Sequence, residues 1–256
     1  MHDGAYCSLT LAGTVGMSGH SKWSTIKHQK EAQDKKRGVV FSKLARLIAI
    51  AARDGEDPDK NSRLRMEIEK ARKFNMPKEN ITRAVERGSG KGGGEALESF
   101  VYEAYGPSGV ALIIEGITDN KNRTISEVKN ILTKHQGKMG GEGSVSWMFS
   151  HSGVINTSLP ENKELIESLT LEVINAGAED IVEKEDGLNI VVPIEKLEEI
   201  KKLLLDSGIE IQSASVEWVP KNPVAVSEQD RNVLERLFEA LDEHDDIQEI
   251  YSNTKN

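Results

Sequence analysis

Between His20 and Arg37 the chain sets His20, Lys22, Lys27, Lys30, Lys35, Lys36 and Arg37 against two acids, Glu31 and Asp34, with Trp23 and His28 among them. That mix suits a polyanion. Basic side chains neutralise phosphates, and an indole offers a flat face on which a base stacks. Trp23 has a second reading, as an anchor that seats this segment on its own helices. From Arg37 onward Phe41, Leu44, Ala45, Ile48 and Ala52 recur at three-and-four spacing, which predicts a helix with one apolar face. Lys36, Lys43, Arg46 and Arg53 fall on roughly the opposite side and extend the basic track, with Ile50 out of place among the charges. The competing reading is a solvated surface helix with an ordinary coat of Lys and Arg.

Charge along the chain favours the first reading. The formal net charge is -9, yet residues 17–91 carry 19 Lys and Arg against 10 Asp and Glu, while residues 92–256 carry 14 against 31. A basic segment on an acidic body is the pattern of a nucleic-acid-binding module, with the acidic remainder limiting indiscriminate phosphate binding.

Other chemistries find less support. A hydrolase or transferase needs a nucleophile with its base, a carboxylate pair or a metal cluster. The histidines His20, His28, His135, His151 and His244 are scattered, and none has H-x-x-x-H or H-E-x-x-H spacing. One cysteine, Cys7, permits neither a disulfide framework nor a multi-cysteine zinc site within one chain. Residues 88–94, GSGKGGG, formally satisfy G-x-G-x-x-G, but they follow a helix and precede a strand, the reverse of a dinucleotide loop. Asp119, Asn120 and Arg123 form the best polar cluster. Asp119 and Asn120 read first as turn or cap residues, and Asn120 and Arg123 as a possible secondary contact to RNA or a partner. The expectation is a binding protein, not an enzyme, without metal or cofactor.

The elements that must position these residues follow in order. Residues 1–16 lack a basic n-region and read as a disordered extension, with Met17 as the start. No apolar run approaches the roughly 20 residues that span a bilayer, so no membrane partner is expected. After the first helix, residues 61–74 predict a second with Leu64, Ile68 and Ala71 inward, and a third opens at Asn75-Met76-Pro77 with Ile81, Ala84 and Val85 inside. A basic helical domain with a flexible glycine linker thus occupies 17–94. From Phe100 the period becomes two: strands at 100–105 and 110–117, a helix capped by Thr124 and Glu127 with Ile125, Val128 and Leu132 buried, then a strand at 144–149.

Residues 151–219 read β-α-β-β-α-β, the split pattern of a ferredoxin-like fold. Its central strands, 153–157 and 187–192, hold no aromatic, unlike the base-stacking sheets of RNA-recognition domains. Glu183, Glu185 and Asp186 fall at a solvated hairpin turn. A helix capped by Ser227 and a strand at 247–251 cannot close a core alone. They are expected to complete the sheet of 95–150, making 95–150 and 220–256 one discontinuous α+β domain with the ferredoxin-like unit inserted. The predicted class is α+β multidomain.

Five stretches carry a family resemblance: MSGHSKWSTIKHQK at 17–30, NMPKENITRAVERGSG at 75–90, YEAYGPSGV at 102–110, TDNKNRT at 118–124 and GSVSWMF at 143–149. Together they resemble the YebC family, which includes the mitochondrial translational activator of cytochrome c oxidase. The resemblance implies three domains around a groove and a cytoplasmic regulator of gene expression. Two roles come with it, a transcriptional regulator binding promoter DNA or a ribosome-associated factor contacting ribosomal RNA, and the sequence leaves both open.

Overall fold

The computed structural model describes residues 33–93, 95–158, 163–184 and 187–255. They form two compact units, one of residues 33–151 with 218–255 and the other of residues 152–217.

The larger unit begins with three helices, α1 (Gln33–Ala51), α2 (Ser62–Lys73) and α3 (Lys78–Gly88). Leu44, Ile48, Ala51, Leu64, Ile68, Ala71, Ile81 and Ala84 make their common core. Asn61 organises the joint. Its Oδ1 accepts from the Leu64 N–H at 3.0 Å as the cap of α2, and its Nδ2 donates to the carbonyls of Ala51 at 2.7 Å and Gly55 at 2.8 Å. Pro77 stands just outside α3 as its cap residue, one place earlier than its expected first turn. At Gly88 a Cβ would lie 2.1 Å from the Ala49 carbonyl oxygen, so only glycine lets α3 close on α1.

The glycine linker is not loose in its described part. The N–H groups of Lys91 and Gly92 both donate to the Glu86 carbonyl at 2.9 Å, and Lys91 Nζ meets the Glu56 carboxylate at 2.6 Å. The orphan carbonyls at the end of α3 hold it down.

A four-stranded antiparallel sheet follows, built from β1 (Glu98–Tyr105), β2 (Ala111–Thr118), β3 (Lys138–Met139) and β8 (Ile247–Ser252) in the order β3-β1-β2-β8. Helices α4 (Lys121–Lys134) and α7 (Glu228–Asp242) cover one face through Phe100, Leu112, Ile114, Val128, Leu132, Leu237 and Leu241. Ala111 and Ile113 point the other way, toward Val145, Phe149 and Tyr251. Both faces of β2 are therefore covered, which explains its nearly unbroken apolar run.

Two expectations are corrected in this sheet. Residues 144–149 are not its strand: Glu103 accepts the N–H groups of Gly143, Val145 and Ser146 at 2.7, 2.6 and 2.9 Å, and donors converging on one carboxylate cannot also pair a ladder. Phe149 instead opens β4 (Phe149–Thr157), and the two-residue β3 takes the edge. Helix α4 starts a turn early because Asn120 caps it, accepting from the Arg123 N–H at 3.0 Å. Thr124 is then an interior, fully buried residue and Ile125 is left exposed.

The smaller unit is the ferredoxin-like fold. Strands β4, β5 (Asp180–Lys184), β6 (Gly187–Val192) and β7 (Ile211–Pro220) lie in the order β5-β6-β4-β7, and α5 (Lys163–Asn175) and α6 (Leu197–Asp206) supply Leu169, Val173, Ile200 and Leu204 to its core. The unit interrupts the larger one between β3 and α7, so the molecule is an α+β protein with one α+β part inserted in another. No described helix is long and apolar enough to cross a membrane.

Candidate nucleic-acid interface

The basic residues of α1 divide. His20, Lys22, Trp23, Lys27 and Lys30 lie outside the described residues. Lys35 and Lys36 belong to the first turns of α1. Arg37 is exposed, with its guanidinium 5.6 Å from the centre of the Phe41 ring.

Further along, Lys43 and Arg46 of the expected exposed track turn inward. Lys43 is only 2 % exposed, and its Nζ lies 2.9 Å from Asp242 Oδ1 on α7. Arg46 meets Asp246 Oδ1 at 2.5 Å and donates to the Asp245 carbonyl at 2.8 Å. Arg53, two residues past α1, donates to the Leu97 carbonyl and stays exposed. Ile50, on the same stripe, packs with Leu97 and Ile117. A helical wheel records angle about an axis and treats the side away from one core as solvent. Helix α1 has two packed sides, because the sheet part covers its basic stripe, and Ile50 was the signal of it.

Asp246 is the centre of this junction. Its side chain is 2 % exposed, and besides Arg46 it accepts from Arg123 at 2.8 Å, Thr118 at 3.0 Å and Thr124 at 2.5 Å. Burial pushes its carboxyl up, but the hydrogen bonds of Thr124 and Arg123 and the charge of Arg46 together hold it below the ordinary aspartate value. Gly116 admits it: a Cβ there would sit 2.2 Å from the Asp246 carbonyl oxygen, which accepts from the Ile117 N–H at 2.8 Å. Beside it Asp119 binds Arg87 of α3 at 3.0 Å and Arg123 at 3.1 Å. Asn120 and Arg123 are thus a helix cap and a member of an internal ion cluster.

Glu127, His244 and Asp246 bring three ligand-type atoms within 4.8 Å of one another. Their chemistry does not suit a cation. His244 Nδ1 accepts from the Asp246 N–H at 3.1 Å, so Nε2 carries the proton toward Glu127 at 2.9 Å, and two guanidiniums already neutralise Asp246.

The outward cations are on α2 and α3. Arg63, Arg65, Arg72, Lys73, Lys78 and Arg83 are exposed, and Arg63, Arg72, Lys73 and Lys78 have no ion-pair partner among the described residues. From the sequence, Arg63, Arg65, Lys70, Arg72 and Lys73 are expected on the more exposed side of the second helix. Their distinction is that Lys43 and Arg46 of α1 are held by carboxylates, whereas Arg63, Arg72, Lys73 and Lys78 are not. Arg72 and Lys73 also sit in the last turn of α2, where the helix dipole favours cations.

Comparison with known proteins agrees with this architecture. Residues 21–91 match the family model described as the TACO1/YebC protein N-terminal domain, and residues 97–254 match the TACO1/YebC second and third domain. A protein of Halothermothrix orenii named "Probable transcriptional regulatory protein" is 46% identical over 93% of this chain and 94% of its own length. One of the same name from Thermotoga maritima is 46% identical over 93% of each chain. The crystal structure of a conserved hypothetical protein from Aquifex aeolicus superposes with a TM-score of 0.75 at 42% identity, covering 92% of this chain and 97% of that one. A helical module, a sheet unit and an inserted ferredoxin-like unit, matched by both family models across nearly the whole described chain, make this protein a member of the TACO1/YebC family.

Proposed function

We propose that this protein is a cytoplasmic regulator of gene expression that binds nucleic acid, DNA in the first instance, through its helical part and without chemistry of its own. The observation that carries the reading is the set of exposed, unpaired cations on α2 and α3, in the same module as Arg37 and the basic run that leads into it. The names of the relatives support a role in transcription. Phosphate contacts from such a surface position a duplex but carry no base readout of their own, so affinity falls steeply with salt.

The test compares the parent chain with R63A/R72A/K73A on duplex DNA by fluorescence anisotropy across a salt series. The triple variant should bind more weakly, and its log–log salt slope should be shallower by about 2–3. Unchanged affinity and slope would overturn the assignment. Ribosomes at matched salt form the second arm: co-sedimentation without a duplex preference would transfer the same surface to translation.

A further inference from the structure

Trp147 is explained neither by the core nor by the helical surface. Its ring is 64 % exposed, in the GSVSWMF stretch that the sequence singled out. The turn that carries it is firmly built. Glu103 binds three consecutive-loop N–H groups from below, and Val145, Met148 and Phe149 on either side of Trp147 pack with Tyr105, Ile113 and Trp218. A rigid turn that leaves an indole in water presents it.

The chemistry of the ring narrows what it presents. Trp147 Nε1 donates to the Ser144 carbonyl at 3.1 Å, and the same oxygen accepts from Tyr105 Oη at 2.9 Å. With its one donor occupied, the indole offers solvent only its faces, which suits stacking over hydrogen-bonded readout. Two exposed lysines are linked to this turn, one directly and one through Tyr105. Lys221 Nζ donates to the Trp147 carbonyl at 3.1 Å, and Lys138 Nζ stands 5.3 Å from the centre of the Tyr105 ring. Neither has a carboxylate partner among the described residues. An aromatic face with two ammonium groups linked to its turn, neither held by a carboxylate, matches a flat base joined to phosphates.

We propose that Trp147 is a stacking platform for an unpaired nucleobase, with Lys138 and Lys221 placed for the adjoining phosphates. The inference rests on the nucleic-acid reading above and extends it, by assigning a contact on the sheet part and a preference for single strands. Duplex bases are stacked on one another and cannot reach the ring; unpaired ones can.

The test measures binding of a 12-nucleotide RNA, the DNA of the same sequence and the corresponding DNA duplex, a length of about one helical turn, by anisotropy. The proteins are the parent chain, W147A, W147F and R63A/R72A/K73A. W147A should weaken single-strand binding about tenfold and leave the duplex unchanged, while W147F retains most of the affinity. A loss on RNA alone, on DNA alone or on both supports the platform and tells which strand it takes. Unchanged single-strand binding by W147A at an unchanged melting temperature overturns it, as does an equal loss on the duplex. Ribosome co-sedimentation lost in W147A with single-strand affinity intact would assign the ring to a protein contact and also overturn it. A parent chain that binds none of the three ligands defeats the functional reading itself; a parent chain weakened only by the α2 triple leaves that reading standing and removes Trp147 from it.

Discussion

Helices α1 and α2 are both rich in lysine and arginine, and they use them in opposite ways. The described cations of α1 beyond Arg37, Lys43 and Arg46, are turned toward acids of the sheet part and hold the module to its neighbour. On α2, Arg63, Arg65, Arg72 and Lys73 are exposed, and Arg63, Arg72 and Lys73 meet no acid among the described residues. The difference teaches that the number of cations on a helix says little about its role. What decides is whether anions of the same chain fold back to meet them, and for Lys43 of α1 the carboxylate comes from 199 residues away.

The strongest break of this contrast is Asp246→Ala. Removing a 2 % exposed carboxylate leaves the mostly buried Arg46 without an anion, while Arg123 keeps Asp119, and breaking such a buried pair costs about 3–5 kcal/mol. Urea denaturation should show that loss; a change below about 1 kcal/mol would mean that the α1 junction is ornamental. Lys43→Met is next. Methionine fills the lysine's space, but Asp242, 24 % exposed, loses its partner and is partly rehydrated, so a cost of about 1–3 kcal/mol is expected. Duplex affinity of the folded K43M protein should equal that of the parent, whereas R63A/R72A/K73A should lose affinity and keep its stability to within about 0.5 kcal/mol per site. If K43M instead weakens binding at full occupancy of the folded state, the division between the two helices is wrong.

Acid gives the gentlest test. The carboxyls of Asp246 and Asp119 are held below the ordinary aspartate value in the folded protein, in each case because bonds to arginine and threonine or arginine outweigh burial. A carboxyl depressed on folding contributes stability that is complete above its unfolded value, about 3.9, and is lost as pH falls through the folded value. The melting temperature should therefore be steady from pH 7 to about 5 and fall below about 4, and Asp246→Asn should flatten that fall. An equally steep acid limb in the variant would place the titrating groups elsewhere.

Much of the architecture was legible because it is set locally. The strand runs of β1 and β2, the Ser227 cap of α7, and the β-α-β-β-α-β order of residues 151–219 each follow from local pattern and turn chemistry within a dozen residues. Where local rules competed, the reading slipped. Two capping signals lay in TDNKNRT, Asn120 and Thr124, and Asn120 prevailed because Thr124 is drawn into the bonds of Asp246. Residues 144–149 have strand composition, yet the Glu103 carboxylate collects their N–H groups.

The sequence by itself determined the fold class, the order of elements, the apolar faces and the excess of positive charge at the amino-terminal end. Tertiary structure alone decided which of those charges remain available, because hydrogen bonds and ion pairs are made across space and the carboxylates that occupy α1 are contributed by the last turn of α7 and the approach to β8. The same holds for Trp147: composition records an indole, and only the packing of the turn beneath it leaves that indole in water with its donor already bonded.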